Sequence, residues 1–227
     1  MQQIRRRIRS FVKREGRMTL GQTQAFESMM PIYGLDYQPE ILDLDSLFGN
    51  QAPITLEIGF GMGGSLVEQA ANNPDKNYLG IEVHRPGVGA LLLKMQHHGV
   101  TNIRVVSHDA IDVLNHMIPD YSIKLVQLFF PDPWHKRKHH KRRIVSSEFL
   151  HLLHKKVEPS GHIHFATDWQ DYAVHMLRVL KSEHGWRNCA TDDGYFPRPE
   201  TRPLTKFEKR GERLGHGVWD LMFQREP

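Results

Sequence analysis

Residues 54–66 read ITLEIGFGMGGSL: a short apolar run, then glycines at 59, 61, 63 and 64. Ile54–Ile58 has the composition of a strand. Glycines at this spacing let the backbone turn tightly and come close to a ligand, and the helix that follows offers N–H donors in its first turn. Onward from here the chain alternates strands and helices. Candidate strands are Tyr78–Val83, Ile103–Ser107, Lys124–Phe130 and His162–Thr167, with Val218–Phe223 as a last one. Helical stretches lie between them, clearest at Pro86–His98 and Trp169–His184. In the first, Pro86 suits the opening turn, and Val88, Leu91, Leu92 and Met95 share a face. In the second, Asp168 is the expected N-cap, and Trp169, Tyr172, Ala173, Met176, Leu177 and Leu180 form the expected buried stripe. This alternation predicts an α/β domain on a parallel sheet over residues 51–227. Residues 1–50 read as an N-terminal extension, basic first and then loop-like around Pro31, Gly34, Pro39 and Gly49.

Composition narrows the class. A chain of 227 residues with 39% hydrophobic and 25% charged residues falls in the soluble globular range and can build a sizeable core. No apolar run approaches the ~18 residues of a membrane span. The N-terminus is basic but lacks the apolar stretch of a signal peptide, and the lone Cys189 excludes an intramolecular disulfide framework. A cytoplasmic location is expected. Net charge is only +4, yet Arg5, Arg6, Arg7, Arg9, Lys13, Arg14 and Arg17 crowd one end of the chain. Such clustering is an electrostatic footprint of nucleic-acid binding, with a membrane surface as the weaker rival.

Around the glycine loop stand carboxylates. Gly59, Gly61 and Gly64 satisfy the G-x-G-x-x-G fingerprint, and Glu82 follows Gly61 by 21 residues. There it suits a ribose in either a NAD or an S-adenosylmethionine site. Two features favour the methyl donor. Glu57, with Gly59, Gly61 and Gly63, gives E-x-G-x-G-x-G, which resembles the first motif of class I methyltransferases. Asp109 follows the third strand in Ser107-His108-Asp109-Ala110, where that superfamily commonly places a group reaching the adenine amine. Each has a plainer alternative: Glu57 as a brace for the glycine loop, Asp109 as the N-cap of a helix from Ile111.

Residues 125–145, LVQLFFPDPWHKRKHHKRRIV, carry the second signal. An apolar strand ends at Pro131-Asp132-Pro133-Trp134, and six Lys or Arg with three His follow between His135 and Arg143. Phe130 and Asp132 each precede a proline, which predicts extended backbone at both. A rigidly held carboxylate beside an aromatic and a dense cationic patch points to an active site facing a polyanion.

Together these segments resemble the bacterial tRNA (guanine-N7)-methyltransferase family over nearly the whole chain. The resemblance is carried by Leu56–Leu66, Gly80–His84, Phe130–Val145, Ala166–Asp168 and Thr201–Gly211. It implies a Rossmann-like class I methyltransferase fold: a mostly parallel central sheet, helices on both faces and an antiparallel C-terminal strand. It implies S-adenosyl-L-methionine as cofactor and tRNA as partner, with methyl transfer to N7 of the variable-loop guanosine, position 46. By position, Glu57, Gly59, Gly61, Gly63, Glu82, Asp109 and Asp132 would form the cofactor pocket, and Asp132 would be the catalytic carboxylate. Lys136, Asp168, Thr205, Lys206, Phe207 and Glu208 would hold the guanosine. Lys138, His139, His140, Lys141, Arg142 and Arg143 would lie on the RNA. One departure is Glu27–Pro31, which lacks the expected aromatic before the proline.

Guanine N7 has an in-plane lone pair and no proton to lose, so Asp132 is expected to stabilise developing charge and not to abstract a proton. Trp134 is a candidate stacking surface or a pocket wall. The fifteen histidines show no metal-ligand spacing, and no metal is expected. A monomer is expected. The competing readings are a NAD-dependent oxidoreductase, which leaves the cationic run unexplained, and an RNA-binding protein that retains the fold without catalysis.

Overall fold

The computed structural model describes residues 8–12, 16–203, 208 and 217–226. Along the chain run α1 (Leu20–Tyr33), β1 (Gly34–Leu35), α2 (Leu44–Phe48), β2 (Ile54–Ile58), α3 (Gly64–Asn72), β3 (Asn77–Ile81) and α4 (Arg85–His98). Then come β4 (Ile103–Val106), α5 (Ala110–His116), β5 (Ile123–Phe129), a 3₁₀ turn (Arg137–Arg142), α6 (Ser147–Lys156), β6 (Val157–Thr167), α7 (Gln170–Ser182), β7 (Trp186–Asn188) and β8 (Trp219–Arg225).

The strands form one sheet in the order β1-β4-β3-β2-β5-β6-β8-β7. Pairing is parallel from β1 through β6, and β8 runs antiparallel to both β6 and β7. Every residue of β2 and β3 is buried, which is why these strands read as apolar runs and not as alternating ones. One core cluster joins α1, α3 and α4 to β3 and β4 through Met29, Leu66, Leu91, Met95 and Val105. The other joins α5, α6 and α7 to the sheet through Val113, Leu150, Leu153, Phe165, Tyr172 and Met176. Chain order reverses between β2 and β5, so a crevice opens at the carboxyl ends of these strands, where open α/β sheets bind ligands.

Three local expectations are corrected. Residues 20–33 are a helix, not a loop. A capping box starts it: Gln22 N–H donates to Thr19 Oγ1 at 3.3 Å, and Thr19 N–H donates to Gln22 Oε1 at 2.9 Å. Pro31 is accommodated within it, and Ala25 and Met29 are buried in the cluster that includes α4 residues. Second, the N-cap of α7 is Trp169 and not Asp168, and the Thr167 hydroxyl accepts from Trp169 N–H at 3.2 Å. Third, Trp169 is 37% exposed and stands outside the buried stripe of α7, its ring meeting His135 edge-on at 4.1 Å.

Candidate active site

A cavity of about 410 Å³ lies at the carboxyl edge of the sheet. Its walls come from Ile58 and Gly59 at the end of β2, Ile81–His84 at the end of β3, His108–Ala110 after β4, and Leu128–Asp132 at the end of β5. Three of the four expected carboxylates, Glu82, Asp109 and Asp132, therefore meet around one space. Gly59 and Gly61 have φ of 72° and 57°, and a Cβ added at either would meet nothing within 4 Å. The loop thus presents bare backbone to open volume. A cavity of this size, ringed by carboxylates and closed on one side by a glycine loop, fits a cationic nucleoside.

The carboxylates divide their tasks. Glu82 is the brace: Oε2 accepts from Gly61 N–H at 2.9 Å, and Oε1 accepts from Val83 and His84 N–H at 2.7 and 2.9 Å. Glu57 makes no such bond to the loop. It is 3% exposed, and its Oε2 has no hydrogen-bond partner among the described residues. Burial first, and then the Glu82 carboxylate, push its pKa up to about 8. Asp109 caps α5, accepting from Ile111 N–H at 3.1 Å, while also lining the cavity. Capping and ligand contact are compatible here.

Asp132 stands exposed at the cavity wall, carried by a turn that departs from expectation. Phe130 has φ of 51°, the left-handed region, instead of the extended backbone that a residue before proline favours. Such a residue costs roughly 1–3 kcal/mol and persists only where its surroundings over-determine it. Here Phe130 N–H still donates to Ala166 O at 2.8 Å, holding the turn to β6. Trp134 also has positive φ, at 50°.

The basic run forms the 3₁₀ turn, and most of it faces outward: Lys136, Arg137, Lys138 and Lys141 are exposed. Arg143 departs from the expected pattern. Its side chain is 2% exposed, ion-paired to Asp171, and Nε donates to Pro133 O at 3.0 Å. It braces the turn from below and offers no surface to RNA. Arg142 lies over the Trp134 ring at 4.7 Å, and His139 meets that ring edge-on. The Trp134 indole N–H donates to Ser10 O at 3.0 Å. Trp134 therefore ties down the N-terminal segment, and Ser10, Phe11 and Val12 form a wall of the cavity. No sequence periodicity marks those three residues as pocket-forming.

Asp168 is half-buried, and its carboxylate makes no hydrogen bond among the described residues. Glu208 is 2% exposed and accepts from Arg202 Nη2 at 2.6 Å. Thr205, Lys206 and Phe207 lie outside the described residues. Among the described residues no group of three or more His, Cys, Asp or Glu could hold a metal ion, and no helix is long and apolar enough to cross a membrane.

An open, mostly parallel sheet with one reversed strand, β8, a glycine loop after its central strand β2 and carboxylates at three strand ends define a class I methyltransferase fold. Solved structures agree on that fold: the 16S rRNA methyltransferase KamB superposes with a TM-score of 0.61 at 16% identity, covering 83% of this chain and 95% of that one. The antibiotic-resistance methyltransferase Kmr gives 0.57 at 11% identity, covering 85% and 95%. The family described as "Putative methyltransferase" matches residues 51–221. A tRNA (guanine-N(7)-)-methyltransferase of Vibrio cholerae is 60% identical over 98% of this chain and 93% of its own. Those of Aeromonas hydrophila and Yersinia enterocolitica are 59% and 58% identical over 97% of this chain, and 93% and 92% of theirs. The chain belongs to the bacterial tRNA (guanine-N7)-methyltransferase family, and its cofactor is S-adenosyl-L-methionine.

Proposed function

We propose that this protein methylates N7 of the variable-loop guanosine at position 46 of tRNA, and that Asp132 is its catalytic carboxylate. The observation that carries the reading is the meeting of Glu82, Asp109 and Asp132 around one cavity beside a bare glycine loop, with exposed cations following Asp132 in the chain. Gly59, Gly61 and Gly63 let the loop approach the cofactor. Glu82 keeps that loop in shape and offers its carboxylate rim to ribose hydroxyls, while Asp109 serves the adenine side. Glu57, buried behind the loop with an unsatisfied oxygen, complements positive charge. Bound S-adenosyl-L-methionine supplies an electrophilic methyl group on a sulfonium.

The chain's own residues do the rest. N7 has no proton, so Asp132 needs only to face the purine as positive charge grows on it, in a setting already oriented for that charge. N7 lies on the edge that an A-form major groove hides, so the guanosine enters from an exposed or displaced loop position. Lys136, exposed and cationic, and Asp168, half-buried and anionic, would hold the guanosine, suited to phosphate and to the guanine N–H groups respectively. Lys138, Lys141 and Arg142 meet phosphates, with His139 and His140 beside them, and orient the tRNA. The protein acts in the cytoplasm as a monomer.

The decisive experiment uses two tRNA transcripts, one with guanosine and one with 7-deazaguanosine at position 46. Radiolabelled methyl should enter the first and not the second. Equal labelling of both, or labelling of neither, would refute the reading. The oxidoreductase alternative has no use for the cationic turn or for Asp132.

A further inference from the structure

Four ionisable side chains lie buried together beneath the Asp132 turn. Arg202, Glu208, Asp220 and His164 are each at most 3% exposed by side chain. Arg202 Nη2 donates to Glu208 Oε1 at 2.6 Å and to Asp220 Oδ2 at 2.9 Å, and Arg202 Nε lies 2.8 Å from Asp220 Oδ1. Asp220 Oδ1 also meets His164 Nε2 at 2.7 Å. Two carboxylates thus hold one guanidinium by its fork, a geometry that lysine cannot reproduce.

The held cation faces the end of β5. Arg202 Cζ lies 5.7 Å from the Phe129 ring centroid and 5.8 Å from that of Phe130, within cation–π range of both. Phe129 also meets His164 edge-on at 5.0 Å. Backbone register reinforces this, because Phe129 pairs with Ala166, Ala166 pairs with Asp220, and Phe130 N–H donates to Ala166 O. Phe130 is the residue held in the left-handed region. Only Pro131, with its fixed φ, separates it from Asp132, so a direction set at Phe130 passes to the carboxylate.

We infer that Arg202 is a positioning residue for methyl transfer: clamped by Glu208 and Asp220, it holds the Phe129–Phe130 rings and so aims Asp132 into the cavity. This rests on the assignment of Asp132 as the catalytic carboxylate. Glu208 then acts on the turn through Arg202. Arg202 itself is too deeply buried to touch substrate or cofactor.

The test is a double-mutant cycle on the full chain, with kcat on tRNA and the Kd for S-adenosyl-L-methionine measured separately. Arg202→Met should lower kcat by roughly 10- to 100-fold, the cost of a misplaced reacting group, and leave the cofactor Kd within about twofold. In an Asp132→Asn background the same change should lower kcat by no more than about twofold, since both act through one group. Losses that multiply, an unchanged kcat in the single variant, or a cofactor Kd that rises in step would each overturn the inference. Should Arg202→Met not fold, Arg202→Lys and Glu208→Gln carry the same test. Full turnover in Asp132→Asn alone would instead sink the assignment of Asp132, a separate failure.

Discussion

Replacing Glu57 by Gln should remove a pH-dependent weakness built into the ligand-free protein. The carboxyl is buried beside Glu82, and its pKa rises to about 8 from the ordinary 4.5. A group raised in the folded state binds its proton more tightly there than in the unfolded chain. Its contribution to stability is therefore complete below pH 4.5 and is lost as pH climbs towards 8. At ~1.4 kcal/mol per pH unit, that window corresponds to about 5 kcal/mol. The introduced amide is an isostere of the neutral carboxyl and does not titrate. Differential scanning calorimetry of both proteins at pH 5, 6, 7 and 8 should show the variant gaining on the wild type with each step. At about 2–4 °C per kcal/mol for a chain of this size, the final difference in Tm should reach about 10 °C or more. A cationic ligand should reverse the balance by favouring the ionised carboxylate. Binding of S-adenosyl-L-methionine at pH 6.5 should then release more protons from the wild type than from the variant, read by calorimetry in buffers of different ionisation enthalpy. Parallel Tm profiles for the two proteins, or equal proton release, would refute the reasoning.

Replacing Lys138, Lys141 and Arg142 together should lower the slope of log affinity for tRNA against log salt by about 2, with cofactor affinity unchanged. Arg143→Met should leave that slope as it is and instead lower Tm, because its guanidinium supports the Pro133 carbonyl, Asp171 and the Tyr172 ring. Trp134→Phe removes the N–H that holds Ser10, so cofactor affinity should fall several-fold as the Ser10–Val12 wall loosens, checked by calorimetry.

Much of the sheet was legible because its central strands are apolar runs bounded by glycines and prolines. Ile54–Ile58 lies where its composition places it. Glu82 was legible from its spacing to the glycine loop, whereas Asp109 and Asp132 were placed at the pocket by the methyltransferase resemblance; parallel strands bring all three to one edge. Helix α1 was hidden by Pro31 and Gly34, although Thr19 and Gln22 carry the signal of its capping box. Helix α6 passed unread in the shadow of the basic run, although Ser146 caps it and Phe149, Leu150 and Leu153 share its buried face. Trp169 follows the helical period but falls one residue before the first turn, so it is exposed. Other features have no local trace. The brace on the glycine loop is Glu82 and not Glu57, a matter of side-chain reach across two strands. Arg143 and Arg142 are adjacent and chemically identical, yet only a tertiary partner, Asp171, turns one of them inward. Phe130 breaks the rule for residues before proline because β6 on one side and Arg202 on the other outweigh it.

The most direct measurement is single-turnover methyl transfer to tRNA by Asp132→Asn, with cofactor affinity determined on the same preparation. An unchanged Kd for S-adenosyl-L-methionine with a methyl-transfer rate lowered by at least about 100-fold is expected of a carboxylate that faces the purine and stabilises its charge. A methyl-transfer rate close to that of the wild type would contradict it.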